Sequence, residues 1–210
     1  MSESWQPIFL SAKVFGHLSQ GLYRTPAGAI KELISNSFDA DAKLVRIHTG
    51  FPKFETFSCE DDGSGISIDE FIRLMNRGIG TSYKRTSGDA LTPGMRRPVI
   101  GRLGLGILSL AQICHRFDIV AHHKDSKKAF RATIVFPPYT RTEMDRLSEH
   151  KGQEEIVQGG QFQITEENYD PAKNGVRIFT KYLREPFRKR MRALNNYGNR
   201  KISDKTEPYK

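Results

Sequence analysis

Between Pro26 and Ala42 the chain reads PAGAIKELISNSFDADA, and this stretch constrains everything around it. Proline is tolerated in the first turn of a helix, where its missing N–H has no partner to lose, and Thr25 ahead of it suits an N-cap. Ala29, Ile30, Glu32, Leu33 and Ile34 then supply mostly good helix formers. At about 100° per residue, Ile30, Leu33, Ile34 and Phe38 gather on one face. Glu32, Asn36 and Asp39 line up on the opposite face. Such a stripe is either a solvated surface or one wall of a polar site. The helix alone favours the first reading; the residues downstream favour the second.

The 210 residues, 37% hydrophobic and 27% charged, suit one α/β domain, with or without a tail. No apolar run approaches the ~20 residues that cross a bilayer. The opening MSESWQPIFLSAK lacks the basic and then apolar design of a secretory leader. A membrane is therefore not an expected partner. Cys59 and Cys114 show no CxxC spacing and read as reduced core residues of a cytoplasmic protein. The net charge of +9 favours polyanions. Its excess lies in residues 84–102 and 184–201, which read equally as basic patches for nucleic acid or as solvated segments.

In chain order, residues 1–11 read as an arm or edge element and Lys13–Tyr23 as a short helix. The central helix leads into strands at Leu44–His48 and Phe54–Cys59. Ser67 and Glu70 make a capping box for a helix reaching Arg77. Residues 78–98 then lose all period and hold four glycines and two prolines, the composition of a lid or binding loop. An apolar helix follows to His115. Strands are expected at Phe117–His122, Ala129–Phe136, Gln161–Ile164 and Val176–Tyr182, and a basic helix from Pro186.

Three clusters carry chemistry. Gly101, Gly104 and Gly106, in GRLGLG, open a helix, where amides unobstructed by Cβ can cradle phosphate. Neither the Rossmann pattern nor a Walker loop is present, and a plain glycine turn reads as well in isolation. Asp61–Gly65, DDGSG, ends a strand. Its carboxylate could accept from an amino group on a flat ring; a calcium loop and a simple turn are the rivals. Glu32 can serve as a general base, with Asn36 one turn on as an oxygen ligand for Mg²⁺. The histidines show no zinc spacing, and Ser109 has no G-x-S-x-G context.

Together and in this order the clusters resemble the GHKL, or Bergerat-fold, ATPases: MutL mismatch-repair proteins, MORC proteins, ninety-kilodalton heat-shock chaperones and type II topoisomerase ATPase subunits. Glu32, Asn36, Asp39 and Ala40 match the family's ExxxNxxDA. Asp61, Gly63 and Gly65 match DxGxG, and Gly101, Gly104 and Gly106 match GxxGxG. KELISNSFDA is similar to the MutL helix, and IGRLGLGILSL to MORC and chaperone sequences.

The resemblance implies an α/β two-layer sandwich, with a mixed, largely antiparallel sheet and helices on one face. It makes residues 1–183 the ATP-binding domain, with a lid at about 78–100, and leaves 184–210 as a basic tail or the start of a following element. ATP and Mg²⁺ are the implied cofactors. Asp61 would read adenine, beside Gly63, Gly65 and Ile66. Asn36 would hold Mg²⁺, near Asp39, and Glu32 would activate water. Thr81, Ser82 and Lys84 of the lid, with Gly101, Arg102, Leu103, Gly104, Leu105 and Gly106, would meet the phosphates. ATP binding would drive lid closure and homodimerisation.

Two departures accompany the match. The family often places threonine after a late-strand glycine, to help hold adenine; here Val176 follows Gly175, so Thr180 substitutes or the contact is absent. The family's transducer domain also supplies a lysine to the γ-phosphate. The chain ends at Lys210, so that lysine is expected from a downstream domain or a protein partner. The carboxylate at Glu32 favours water activation over the phosphotransfer of the histidine kinases. A nucleotide-gated binding module with negligible turnover is the other alternative.

Overall fold

The computed structural model describes residues 4–11, 26–76, 91–100, 110–111, 113–137, 142 and 156–193. The helix expected at 13–23 lies outside them, as do residues 77–90 and 101–109. Seven strands form one sheet: β1 (Gln6–Ser11), β2 (Val45–His48), β3 (Phe57–Asp61), β4 (Arg116–His123), β5 (Lys128–Val135), β6 (Ile156–Glu167) and β7 (Gly175–Thr180). Their order is β1-β6-β5-β4-β7-β3-β2, and every described pairing is antiparallel. The α-helices described in full are α1 (Pro26–Asp39), α2 (Ile68–Asn76) and α3 (Glu185–Arg192), and a 3-10 turn spans Pro171–Lys173. This is the two-layer α/β fold that the sequence implied.

Alternation in the strands sets the layers, because successive side chains point to opposite faces. In β4, Phe117, Ile119 and Ala121 are buried, whereas Arg116 is exposed and Asp118 and Val120 are half-buried. Phe130, Ala132 and Ile134 of β5 continue the buried face, as do Phe162 and Ile164 of β6. Phe71 of α2 seals it, its ring 5.3 Å from that of Phe130 and 5.6 Å from that of Phe162. Burying a phenylalanine fully contributes about 1.5–3 kcal/mol, so this trio fixes α2 against the sheet. The capping box fixes where α2 begins: the Ser67 N–H donates to Glu70 Oε2 at 3.1 Å and the Glu70 N–H to Ser67 Oγ at 3.3 Å.

Helix α1 sits on the sheet by a stripe that overlaps the expected one in part: Leu33 is buried and Ile30 packs against the core, as expected. Ala29, Leu33 and Ser37, spaced by four, are buried, whereas Ile34 is 43% exposed. Small residues at the contact let the helix approach closely. The polar stripe of Glu32, Asn36 and Asp39 therefore borders the buried stripe instead of facing away from it.

β3 starts later than its alternation suggested. Phe54 adopts φ +51° and donates its N–H to Gly50 O at 2.7 Å, so it closes a turn and is buried there. The strand thereby runs out to Asp61. At the other end of the chain, Phe187 of α3 belongs to the core, and the Arg184 N–H donates to Ile113 O at 2.8 Å. Packing thus continues past residue 183, where the sequence suggested a basic tail or the start of a following element.

Candidate functional site

Asp61 ends β3 with its carboxylate turned inwards. Oδ1 accepts from the N–H of Gly63 at 3.0 Å and of Val176 at 3.3 Å, while Oδ2 accepts from Ser37 Oγ at 3.0 Å. Burial pushes its pKa up; the Gly63, Ser37 and Val176 hydrogen bonds offset this in part. The neighbouring Asp62 has a different task. Its Oδ1 accepts from the Lys43 and Leu44 amides at 2.7 and 2.8 Å, which fixes the chain's entry into β2.

Glycine is required around Asp61 because backbone comes too close for a side chain. A Cβ on Gly63 would lie 2.7 Å from Ala40 O, at the end of α1. Gly65, at φ +75°, abuts the His122 carbonyl, so only glycine fits that turn without strain.

Above Asp61 lies a cavity of about 500 Å³, in the range of small-ligand sites. Cys59, Ile119, Val176 and Ile178 form an apolar floor on three neighbouring strands. Asn36 and Asp39 of α1, with Ala40 just after it, stand on one side, and Ile66, Phe71 and Leu74 on the other. A flat apolar slot with one buried carboxylate suits a heteroaromatic ring that presents an amino donor.

Of the expected site residues, Asn36, Asp39, Asp61, Gly65 and Ile66 line this cavity, and Gly63 supports Asp61 from behind. Glu32 lies outside the lining, one turn towards the start of α1, and is half-buried. Desolvation raises its pKa, and nearby Lys31 only partly offsets that. Thr81, Ser82, Lys84, Gly101, Arg102, Leu103, Gly104, Leu105 and Gly106 lie outside the described residues.

Thr180 is not brought to the cavity. It pairs with Phe57 at the far end of β7, where its Oγ1 donates to Arg116 O at 2.5 Å and accepts from the Tyr182 N–H at 3.0 Å. Strand geometry puts the four-residue offset from Val176 at roughly 13 Å. The Thr180 substitution for the missing Gly-Thr contact is thereby corrected: Val176 meets Asp61, through its backbone.

Sequence reasoning missed Ser37, which holds Asp61 from α1 and is 3% exposed. Its signal was available as the small polar member of the Ala29–Leu33–Ser37 stripe.

Residues 91–98, read as part of a lid or binding loop, form a compact turn. The Thr92 N–H donates to Arg97 O at 2.8 Å, and Leu91 bridges Pro98. Asp41, at φ +59°, clamps the turn: its carboxylate accepts from the Thr92 hydroxyl and, at 2.7 Å, from the Gly94 N–H. Arg97 reaches back to Ala42 O at 3.0 Å, and its guanidinium lies 4.7 Å from the Phe38 ring centroid. Asp39 Oδ1 accepts from the Ile100 N–H at 2.9 Å, so α1 fixes the chain immediately ahead of Gly101.

The Thr92 hydroxyl holds the Asp41 pKa below the usual range, so this clamp works wherever the carboxylate is charged and is lost as pH falls through its lowered pKa. In Asp41→Ala, hydrogen exchange at the Gly94 amide is expected to quicken by about tenfold or more, since a charge-assisted bond is lost. Unchanged protection at Gly94 would show that the clamp is idle.

A family model described as histidine kinase-, DNA gyrase B- and HSP90-like ATPase matches residues 23–152. The chain belongs to this family. GHKL membership supports ATP binding and hydrolysis as its general activity. MutL from Anaplasma phagocytophilum, a DNA mismatch repair protein, is 31% identical over 135 residues, covering 64% of this chain and 20% of that protein. MutL from Buchnera aphidicola is 33% identical over 84 residues, 39% of this chain and 14% of its own length. A Herpetosiphon aurantiacus protein provisionally named type II restriction enzyme HgiDII is 24% identical over 210 residues, 95% of this chain and 31% of that protein. The chain thus spans between 14% and 31% of these relatives.

Among the described residues, no helix is long and apolar enough to cross a membrane. None of them form a group of three histidine, cysteine or acidic residues able to hold a metal.

Proposed function

We propose that this chain is the Mg²⁺-dependent ATPase module of a DNA-processing protein. In this reading ATP binding drives closure of the lid ahead of the clamped turn at 91–98 and favours a homodimer. The observation that carries it is the Asp61 carboxylate, buried at the end of an apolar slot and reached from α1 by Ser37. Adenine would lie on Val176 and Ile178 and donate its amino group to Asp61. The phosphates would then extend towards Asn36 and the Gly101–Gly106 amides. The printed roles of the MutL relatives support the DNA context.

The site fits one hard cation: Asn36 is an exposed oxygen donor on the cavity wall, and Mg²⁺ commonly takes one or two protein ligands beside substrate phosphates. When bound, Mg²⁺ would neutralise charge on the phosphates. Glu32, one turn away, would accept the proton of the attacking water, and its raised pKa suits that exchange. Asp39 would hold Ile100, and with it the start of the glycine loop. A downstream domain or partner would complete the phosphate cations.

Titration of ATP with and without Mg²⁺, beside steady-state turnover, tests the reading. Wild type should bind and hydrolyse with Mg²⁺, and Asn36→Ala should lose the Mg²⁺-dependent part of both. Binding without turnover would leave a nucleotide-gated module, and transfer of phosphate to a partner histidine would mean a kinase.

A further inference from the structure

We propose that the sheet face turned away from the helices binds single-stranded nucleic acid. The inference stands on its own observations and does not need the ATP site. Along β4, β5 and β7, the residues alternate with the core and point to this second face. Val120 is in register with Arg131 of β5 on one side and with Arg177 of β7 on the other. Strand spacing separates the two arginines by roughly 10 Å.

Phe179 stands beside them, with each guanidinium 5.5 Å from its ring centroid. At the strand ends Arg116 and Lys181 flank Tyr182, at 5.6 and 5.9 Å. These six residues border a groove of about 480 Å³.

Its charge is compensated only in part, by Asp118 in the lining and by Glu60 of β3, which stands in register with Arg177. Arg131 is tied to Glu167 at 2.6 Å and to Asp118 at 3.7 Å. Among the described residues Arg116, Arg177 and Lys181 form no ion pair, although all three are exposed. Three exposed cations without a direct ion pair, on a chain of net charge +9, favour a polyanion.

The rings narrow the choice. Tyr182 is 45% exposed and Phe179 half-buried, so each offers the groove an aromatic surface beside a cation. Unpaired bases stack on such rings while arginine and lysine follow the phosphates, whatever the sequence. A duplex hides its base faces, and an acidic peptide would use the cations and leave the rings idle.

Fluorescence anisotropy of a labelled oligothymidylate, with a matched duplex and polyglutamate as competitors, tests this at about 50–200 mM salt. Wild type should bind the single strand in preference to the duplex and resist polyglutamate. Removing two phosphate contacts, in Arg116→Gln with Lys181→Gln, should weaken binding by about tenfold or more and lower the salt slope by about 1.4. Phe179→Leu with Tyr182→Leu should erase the preference for single strands but keep the slope. Circular dichroism confirms that each variant is folded. Salt-independent or undetectable binding by wild type, a charge variant within twofold of it, ring variants that keep the preference, or equal displacement by polyglutamate would each overturn the proposal.

Discussion

Asp61→Asn is expected to weaken ATP binding by about 10- to 150-fold while leaving the fold as stable as before or more so. The binding loss follows from hydrogen-bond polarity. A hydrogen bond to a charged acceptor contributes about 1.5–3 kcal/mol, and each 1.4 kcal/mol is tenfold in affinity. Asparagine keeps Oδ1 for the Gly63 and Val176 amides but replaces Oδ2 with an NH₂ group. That group would face the amino group of adenine donor to donor.

The fold tolerates the change because of Ser37. Its single hydroxyl proton lies between two acceptors, Leu33 O at 3.1 Å and Asp61 Oδ2 at 3.0 Å. In the variant the hydroxyl donates to Leu33 O and accepts from the asparagine, so both contacts are met at once.

Protonation works in the same direction. Folding raises the Asp61 pKa, so ionising the buried carboxylate costs stability as pH rises from the ordinary carboxylate range through the raised value. Asparagine removes that cost at neutral pH and gains nothing in acid. Calorimetric ATP titration with thermal melts at both pH values separates the outcomes. Wild-type affinity in Asp61→Asn would remove Asp61 as the base-reading group, whereas a collapsed melting temperature would mean that its role is structural.

How far the sequence carried this reading differs from place to place. The strand at β4, the capping box at Ser67 and the acidic turn at Asp61 are local: alternation, a cap three residues from its partner and glycines beside a carboxylate are written in adjacent letters. The stripe by which α1 binds the sheet was placed correctly at Ile30 and Leu33 and wrongly at Ile34, because hydrophobicity alone picks Ile34, while close helix-to-sheet contact prefers Ala29 and Ser37. The Asp41 clamp joins residues 51 and 53 apart, from Thr92 and Gly94, and no short-range pattern announces it. Thr180 was misjudged for the same reason. Only the register of β7 against β3 shows that its side chain lies four residues too far along the strand.

The Glu32→Ala variant should separate binding from chemistry, with ATP affinity within a few-fold of wild type and hydrolysis slower by about 10²–10⁴. Glu32 lies outside the cavity lining, so removing it takes no surface from the nucleotide slot. It stands one turn from Asn36 along α1, on the side where the phosphates would extend. Its raised pKa has a kinetic consequence. A general base must be deprotonated, so in wild type single-turnover hydrolysis should rise with pH through an apparent pKa above 4.5, the ordinary value for this carboxyl. Desolvation by the α1 surroundings is the main cause of the shift, so Lys31→Ala, which removes the opposing charge, should move that limb higher still. Glu32→Gln keeps the shape of the side chain and should still lose the rate. Single-turnover assays suit the comparison, because they report the chemical step even when release or closure limits steady-state turnover. If Glu32→Gln hydrolyses ATP at the wild-type rate, or the acid limb persists in it unchanged, the base lies elsewhere, and the binding-module and kinase readings gain.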